Sequence, residues 1–277
     1  MQHIFINDEK NRALVESVFK NVNEKAKKKL LLFDEIVSTN DEAKKLFKNE
    51  TASSLHNFML ASFSQSKGRG RLGRFFFSPF AKGLYVSFII EKKNFESDCL
   101  TALIAVATLR SLEKVYNISA SIKWVNDIFF REKKIAGILC EALTNEIGNI
   151  FGFVCGVGIN ILPADFPKEI AEHVGSIFQN ENANFSDARF SDLISTLYEN
   201  FLCIENENEK KFAIAEYKAK SFLIGKKIIV HPVIGSDETY FARVLDIDDE
   251  AHLVVKSENG IEKKLFSGEV SIGSKNI

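Results

Sequence analysis

Nine consecutive residues, Ser66-Lys67-Gly68-Arg69-Gly70-Arg71-Leu72-Gly73-Arg74, place four cations and three glycines on one short stretch. Glycine lets a backbone approach a ligand closely, and successive N–H groups can form a nest for an anion. The chain has 28 lysines and only 8 arginines, yet three of those arginines fall here. Solubility needs no guanidinium, so the cluster points to a planar, multi-donor contact with an anion. The chemistry is that of a clamp on a phosphate or adenylate. A solvated loop and a glycine–arginine contact to RNA are the alternatives that the motif leaves open. The cations repel one another when the loop is empty, which predicts mobility until an anion arrives. The phosphate loop G-x-x-x-x-G-K-[ST] is absent, and no strand-G-x-G-x-x-G-helix unit fits a dinucleotide site.

Three other stretches carry candidate chemistry. Lys123-Trp124-Val125-Asn126-Asp127 holds the single tryptophan. Strand alternation sends Ile122 and Trp124 to one face and Lys123 to the other, into a site or simply into solvent. Lys133-Lys134-Ile135-Ala136-Gly137-Ile138-Leu139 passes from basic to apolar, with Gly137 where something approaches the strand. In Gly156-Val157-Gly158-Ile159-Asn160 the glycines leave one strand face as bare backbone, suited to a flat ligand or to a closely packed helix. Cys99, Cys140, Cys155 and Cys203 form no C-x-x-C pair, and the five histidines have no zinc-binding spacing. The thiols read as reduced, in a cytoplasmic protein.

The elements that must position these residues read as strands interrupted by helices. Ser38-Thr39-Asn40-Asp41-Glu42 is a capping box with Thr39 as N-cap and Glu42 at N3, opening a helix to about Lys48. Strands are expected at 57–63, 83–90, 121–125, 127–130, 134–143 and 149–161, with short turns at 131–133 and 144–148. Leu100, Leu103, Ile104, Ala107 and Val115 mark one face of a long helix. Two more helices, 187–203 and 210–221, close the unit. Hairpin-linked strands with intervening helices indicate an α+β mixed sheet. Residues 222–277 change character: short strands at 227–231, 239–246, 252–256 and 261–266 make a small barrel of SH3 type. Residues 1–32 read as an appendage, a solvated helix or arm, too short for a winged helix-turn-helix. The main unit, which would carry the candidate chemistry, is then 33–221.

The 277 residues are 45% hydrophobic and 26% charged, an ordinary globular balance. A formal net charge of -1 supplies no global field for nucleic acid or anionic lipid. Apolar runs at 100–109 and 151–162 are shorter than the roughly 20 residues that span a bilayer. No specific DNA and no membrane are expected as partners.

Taken in order, S-T-N (Ser38, Thr39, Asn40), Q-x-x-G-R-G-R-x-G-R (Gln65 to Arg74), F-S-P-F (Phe77 to Phe80), K-W-x-N-D (Lys123 to Asp127), K-x-A-G-I-L (Lys134 to Leu139) and G-x-G-I-N (Gly156 to Asn160) closely resemble biotin–protein ligases. The resemblance covers about 33–277 and is strongest over 38–160. It implies a central mixed β-sheet flanked by helices, the class II synthetase-like fold of biotin and lipoate ligases, with a C-terminal SH3-like barrel. It implies that biotin and ATP, with Mg²⁺, form biotinyl-5′-AMP, and that biotin then passes to one lysine of a biotin carboxyl carrier protein, usually of acetyl-CoA carboxylase. A homodimer is possible within the family. By the same resemblance Ser38, Thr39, Asn40, Gln65, Gly68, Arg69, Gly70, Arg71, Lys123, Gly137, Gly156 and Gly158 surround biotin. Arg69, Arg71, Arg74, Phe76, Lys123, Asn126, Lys134 and Asn160 serve ATP or the adenylate, and Lys123 and Arg69 are the catalytic cations. The metal ligands stay unassigned. Val125 stands where the family usually has proline, and Phe76 where tryptophan is common.

The chemistry suits those residue types. A ureido bicycle is uncharged, with donors and acceptors matched by Ser, Thr, Asn and Gln. Bringing its carboxylate against an α-phosphate opposes two anions, about 4 kcal/mol at 4 Å and an effective dielectric near 20. Lys123 and Arg69 would neutralise that repulsion, and no protein nucleophile is needed. Asp127 is a candidate to help deprotonate the acceptor lysine. A lipoate or octanoate ligase of related fold is the alternative enzyme, and a nucleic-acid binder the alternative without catalysis.

Overall fold

The computed structural model describes residues 3–49, 55–92, 99–180, 182–186, 188–231 and 239–272. Asp187, expected to open a helix, lies outside them. Thirteen strands, β1 (Ile4–Phe5), β2 (Leu30–Phe33), β3 (Met59–Ser62), β4 (Gly83–Glu91), β5 (Ser121–Lys123), β6 (Asp127–Phe130), β7 (Lys133–Thr144), β8 (Ile150–Asn160), β9 (Lys227–His231), β10 (Tyr240–Ile247), β11 (Leu253–Ser257), β12 (Glu262–Leu265) and β13 (Glu269–Ile272), are described, with seven α-helices: α1 (Arg12–Asn21), α2 (Glu24–Lys27), α3 (Thr39–Asn49), α4 (Leu100–Tyr116), α5 (Lys168–Ala171), α6 (Phe190–Cys203) and α7 (Glu207–Lys220). Eight strands form one mixed sheet in the order β1-β2-β3-β4-β8-β7-β6-β5. The β1–β2 and β2–β3 pairs are parallel and the others antiparallel.

Strand alternation builds two cores. Leu30, Leu32, Met59, Ala61, Phe88 and Ile90 join α4 and α6 on one face, while Leu31, Phe33, Leu60 and Ile89 meet Ala43 of α3 on the other. Both faces of the central strands are covered, so these segments read as apolar runs. The β6–β7 turn places Arg131 and Glu132 at φ 49° and 62°, a pair of left-handed residues that matches strand twist in a tight hairpin.

The amino-terminal segment is not a solvated arm. Val15 and Ala26 are fully buried, and β1 extends the main sheet beside β2. Asp34, also fully buried, accepts hydrogen bonds from the N–H groups of Asn7, Asp8 and Glu35 and from Asn11 Nδ2. These four bonds outweigh the burial that would raise its pKa and hold it below the ordinary carboxylate value. The helix at α3 also begins one residue earlier than the capping box indicates. Ser38 Oγ accepts from Asp41 N, whereas Thr39 N donates to Gln65 Oε1 across the site.

The C-terminal strands form a five-stranded antiparallel sheet in the order β12-β11-β10-β9-β13. Four were expected; β13 was not. Among the described residues β12 and β13 are the two ends of this strand order. Among the described residues no helix is long and apolar enough to cross a membrane. No disulfide joins any of the four cysteines.

Candidate active site

A cavity of about 250 Å³ opens over the centre of the large sheet, between the start of α3, the residues 65–77 and strands β7 and β8. One end is neutral and hydrogen-bonding. Ser38, Thr39 and Asn40 are all buried there. Gln65 Oε1 accepts from Thr39 N (2.9 Å) and Oγ1 (3.2 Å), and its Nε2 donates to Ser78 Oγ (3.2 Å). Fully buried Ser87 of β4 lies 2.8 Å from Thr39 Oγ1 and donates to Asn40 Oδ1 at 2.5 Å.

The glycines work differently from one another. A Cβ at Gly156 would meet Asn40 Oδ1 at 2.4 Å, and one at Gly158 would meet the Phe76 ring at 2.5 Å. The bare strand backbone is thus covered by two side chains, Asn40 from the first turn of α3 and Phe76 from the end of the glycine–arginine stretch. Phe76 also lies 3.4 Å from a Cβ built on Gly137, and packs edge-on against Tyr85. At Gly68 a Cβ would strike Phe76 O at 2.4 Å, so close backbone approach requires glycine there.

The glycine–arginine stretch is a small hairpin. Phe76 N donates to Gly68 O, Gly70 N to Arg74 O, and the tip turns through Leu72 and Gly73 at φ 56° and 73°. Its expected self-repulsion is offset, because every arginine has a partner. Arg69 Nη2 meets Asp41 and Glu141, both at 2.8 Å. Arg71 Nη1 donates to Asn126 Oδ1 (3.3 Å) and Gly268 O (3.2 Å), and Arg74 pairs with Glu269 at 2.5 Å. The last two contacts join the hairpin to the C-terminal sheet.

The cationic end holds Lys134, paired with Asp127 at 2.6 Å, together with Asn126 and Asn160. Asn126 is fixed by an Nδ2 bond to Ile138 O. Lys123 and Gly68 do not line the cavity. Lys123 lies on β5, the sheet's edge, opposite Asp127, with Ile122 and Trp124 buried behind it. It makes no hydrogen bond or ion pair among the described residues. Burial pushes its pKa below the ordinary lysine value, with Asp127 opposing that and Lys134 and Arg74 adding to it. Trp124 Nε1 donates to Ala251 O and Tyr217 OH to Val125 O, so this segment is pinned by the C-terminal sheet and by α7.

Sequence reading missed Glu141, Asp41, Ser87 and Glu269. Glu141 had a detectable signal, an acidic residue two places after the K-x-A-G-I-L segment in an apolar strand. Away from the cavity, a turn of the C-terminal sheet gathers Asp248, Glu250 and His252, whose spacing shows no metal motif; Lys264 already pairs with Asp248 at 2.9 Å.

Residues 33–160 match the model of the Biotin/lipoate A/B protein ligase family. They form a domain of that family. Over 254 residues the chain is 28% identical to the bifunctional ligase/repressor BirA of Bacillus subtilis, covering 88% of this chain and 74% of that protein. It is 29% identical over 202 residues to the biotin--[acetyl-CoA-carboxylase] ligase of Mycobacterium tuberculosis, covering 70% and 71%. Among solved structures, the biotin protein ligase of Aquifex aeolicus in complex with biotin and ATP superposes with a TM-score of 0.71 at 26% identity, over 89% of this chain and 99% of that one.

Proposed function

We propose that this chain is a biotin–protein ligase that activates biotin with ATP and transfers it to a lysine of a carrier protein. The observation that carries this reading is the polarity of this cavity: neutral donors and acceptors at the Thr39–Gln65–Ser87 end, cations at the Lys134–Arg71 end. A ureido ring suits the first and phosphates the second. A biotin carboxylate oxygen attacks the α-phosphorus of ATP, the bond to the bridging oxygen breaks, and pyrophosphate leaves. The neutral amine of the acceptor lysine then attacks the acyl carbon, and AMP leaves.

Arg69 and Arg71 of the cavity wall counter the charge of the two approaching anions, with Lys123 acting from outside that lining, and preorganised cations at such a point lower the barrier. Phe76 supplies the flat surface on which a base can stack. Lys134 and Asn160 hold the nucleotide. Asp127 offers Mg²⁺ a hard carboxylate donor, one oxygen of which meets Lys134 at 2.6 Å. Asp127 would hold the ion, which when bound supplies charge neutralisation on the leaving phosphates. We place the reaction in the cytoplasm, where ATP and a carrier domain of acetyl-CoA carboxylase meet.

Incubation with biotin, Mg-ATP and a carrier domain, read by intact mass, tests the assignment. One added biotinyl group and biotin-dependent release of AMP are expected. Lipoate supporting faster turnover than biotin would overturn it, as would modification without ATP.

A further inference from the structure

Glu141 sits on β7 beside the neutral end of the cavity, and four polar contacts converge on its carboxylate. Oε1 receives Lys44 Nζ at 2.6 Å and Arg69 Nη2 at 3.0 Å. Oε2 receives Asn40 Nδ2 at 2.8 Å and Arg69 Nη2 at 2.8 Å. Asn40 and Lys44 are four residues apart on α3, hence on one helix face, and both reach the same carboxylate. These bonds outweigh the burial that would raise its pKa and hold Glu141 below the ordinary value, so it is a pure acceptor at neutral pH.

An acceptor at this place has a consequence for Asn40. The second hydrogen of Asn40 Nδ2 goes to Leu139 O at 3.2 Å, another pure acceptor. The reversed amide would set its oxygen against a carboxylate and a carbonyl, so the orientation is imposed. Asn40 Oδ1 therefore faces Ser87 and the bare backbone of Gly156, with a lone pair left for a ligand. We propose that Glu141 is a positioning residue that makes Asn40 an obligatory hydrogen-bond acceptor for a ureido N–H of biotin. This rests on the reading of the cavity as a biotin site.

Glu141→Gln tests it without changing side-chain volume. The introduced amide keeps its oxygen for Lys44 and Arg69 and turns its NH₂ toward Asn40, so that only Leu139 O still opposes reversal of the Asn40 amide. Biotin is compared with the two carbamate analogues in which one or the other ureido N–H is replaced by oxygen. In the intact enzyme, biotin should be favoured in kcat/KM over at least one analogue by tenfold or more. In the variant that preference should fall at least tenfold, with KM for ATP within threefold. A merely structural Glu141 would weaken all three ligands by the same factor, and that result overturns the proposal. Failure of the intact enzyme to form AMP in response to biotin would instead refute the biotin reading itself.

Discussion

Replacing Lys123 by Met should lower activity and raise stability together. The ammonium is partly buried and has no hydrogen bond or ion pair among the described residues; Asp127 attracts it, while Lys134 and Arg74 repel it. A lysine whose folded pKa is depressed costs stability at every pH below that value. The cost fades as pH rises toward the unfolded value near 10.4. Met keeps the packed stem and removes the cost, so Tm at pH 7 should be unchanged or higher, and the gain should shrink on alkalinisation. Catalysis responds in the opposite sense. A cation brought to about 5 Å from a developing unit charge, at an effective dielectric near 20, contributes about 3 kcal/mol. Its loss slows adenylation by roughly 10²-fold. Biotin-dependent ATP–pyrophosphate exchange, paired with thermal melts, measures both. The intact enzyme should also lose activity at a pH below the ordinary lysine range, a limb absent from the variant. Exchange within threefold of the intact enzyme, or a Tm lowered by several degrees, would refute the reasoning.

Arg71→Gly removes the bonds to Asn126 and Gly268 and should release biotinyl-AMP about ten- to 150-fold faster, for roughly 1.5 to 3 kcal/mol of charge-assisted bonding. Streptavidin blots of serum albumin incubated with variant, biotin and Mg-ATP should then show nonspecific labelling that the intact enzyme does not produce. A saturating non-hydrolysable biotinyl-adenylate analogue should slow amide exchange at Arg71, Leu72 and Gly73; Gly70 and Phe76 already donate within the hairpin and should change little. Equal changes at all five amides would contradict that hairpin. Asp34→Asn should destabilise the chain by about 3 kcal/mol, or roughly 6 to 12 °C in Tm, since three backbone donors and Asn11 lose a charged acceptor. Because the folded pKa is depressed, the difference should be full above about pH 4 and vanish as pH falls through the folded value. A difference that persists at pH 2 would show that the bonds do not depend on the charge.

Local chemistry made much of the site legible. Glycines at 68, 156 and 158 announced close approach, and a Cβ at each would collide with Phe76 O, Asn40 or the Phe76 ring. What covers those glycines was not legible, because Asn40 and Phe76 reach them from other elements. The capping box misplaced the N-cap by one residue for the same reason. Thr39 N had a distant acceptor, Gln65, that no local pattern reveals.

Alternation and glycine spacing by themselves determined strands β3 to β8 of the main sheet, the hairpin turns and the residue types that could meet a neutral ring and an anion. Those features depend on periodicities of two and on steric limits within a few residues. Only the tertiary structure decided that residues 4–34 belong to the main sheet and core, since their two-residue strand and half-buried helix acquire partners 25 or more positions away. It alone decided that β13 exists and that Glu269 and Gly268 hold the arginine hairpin. It also gave each arginine a partner, where the sequence shows four cations repelling one another. Charge satisfaction is a property of distance in space, and Arg69 meets Glu141 across 72 residues of chain.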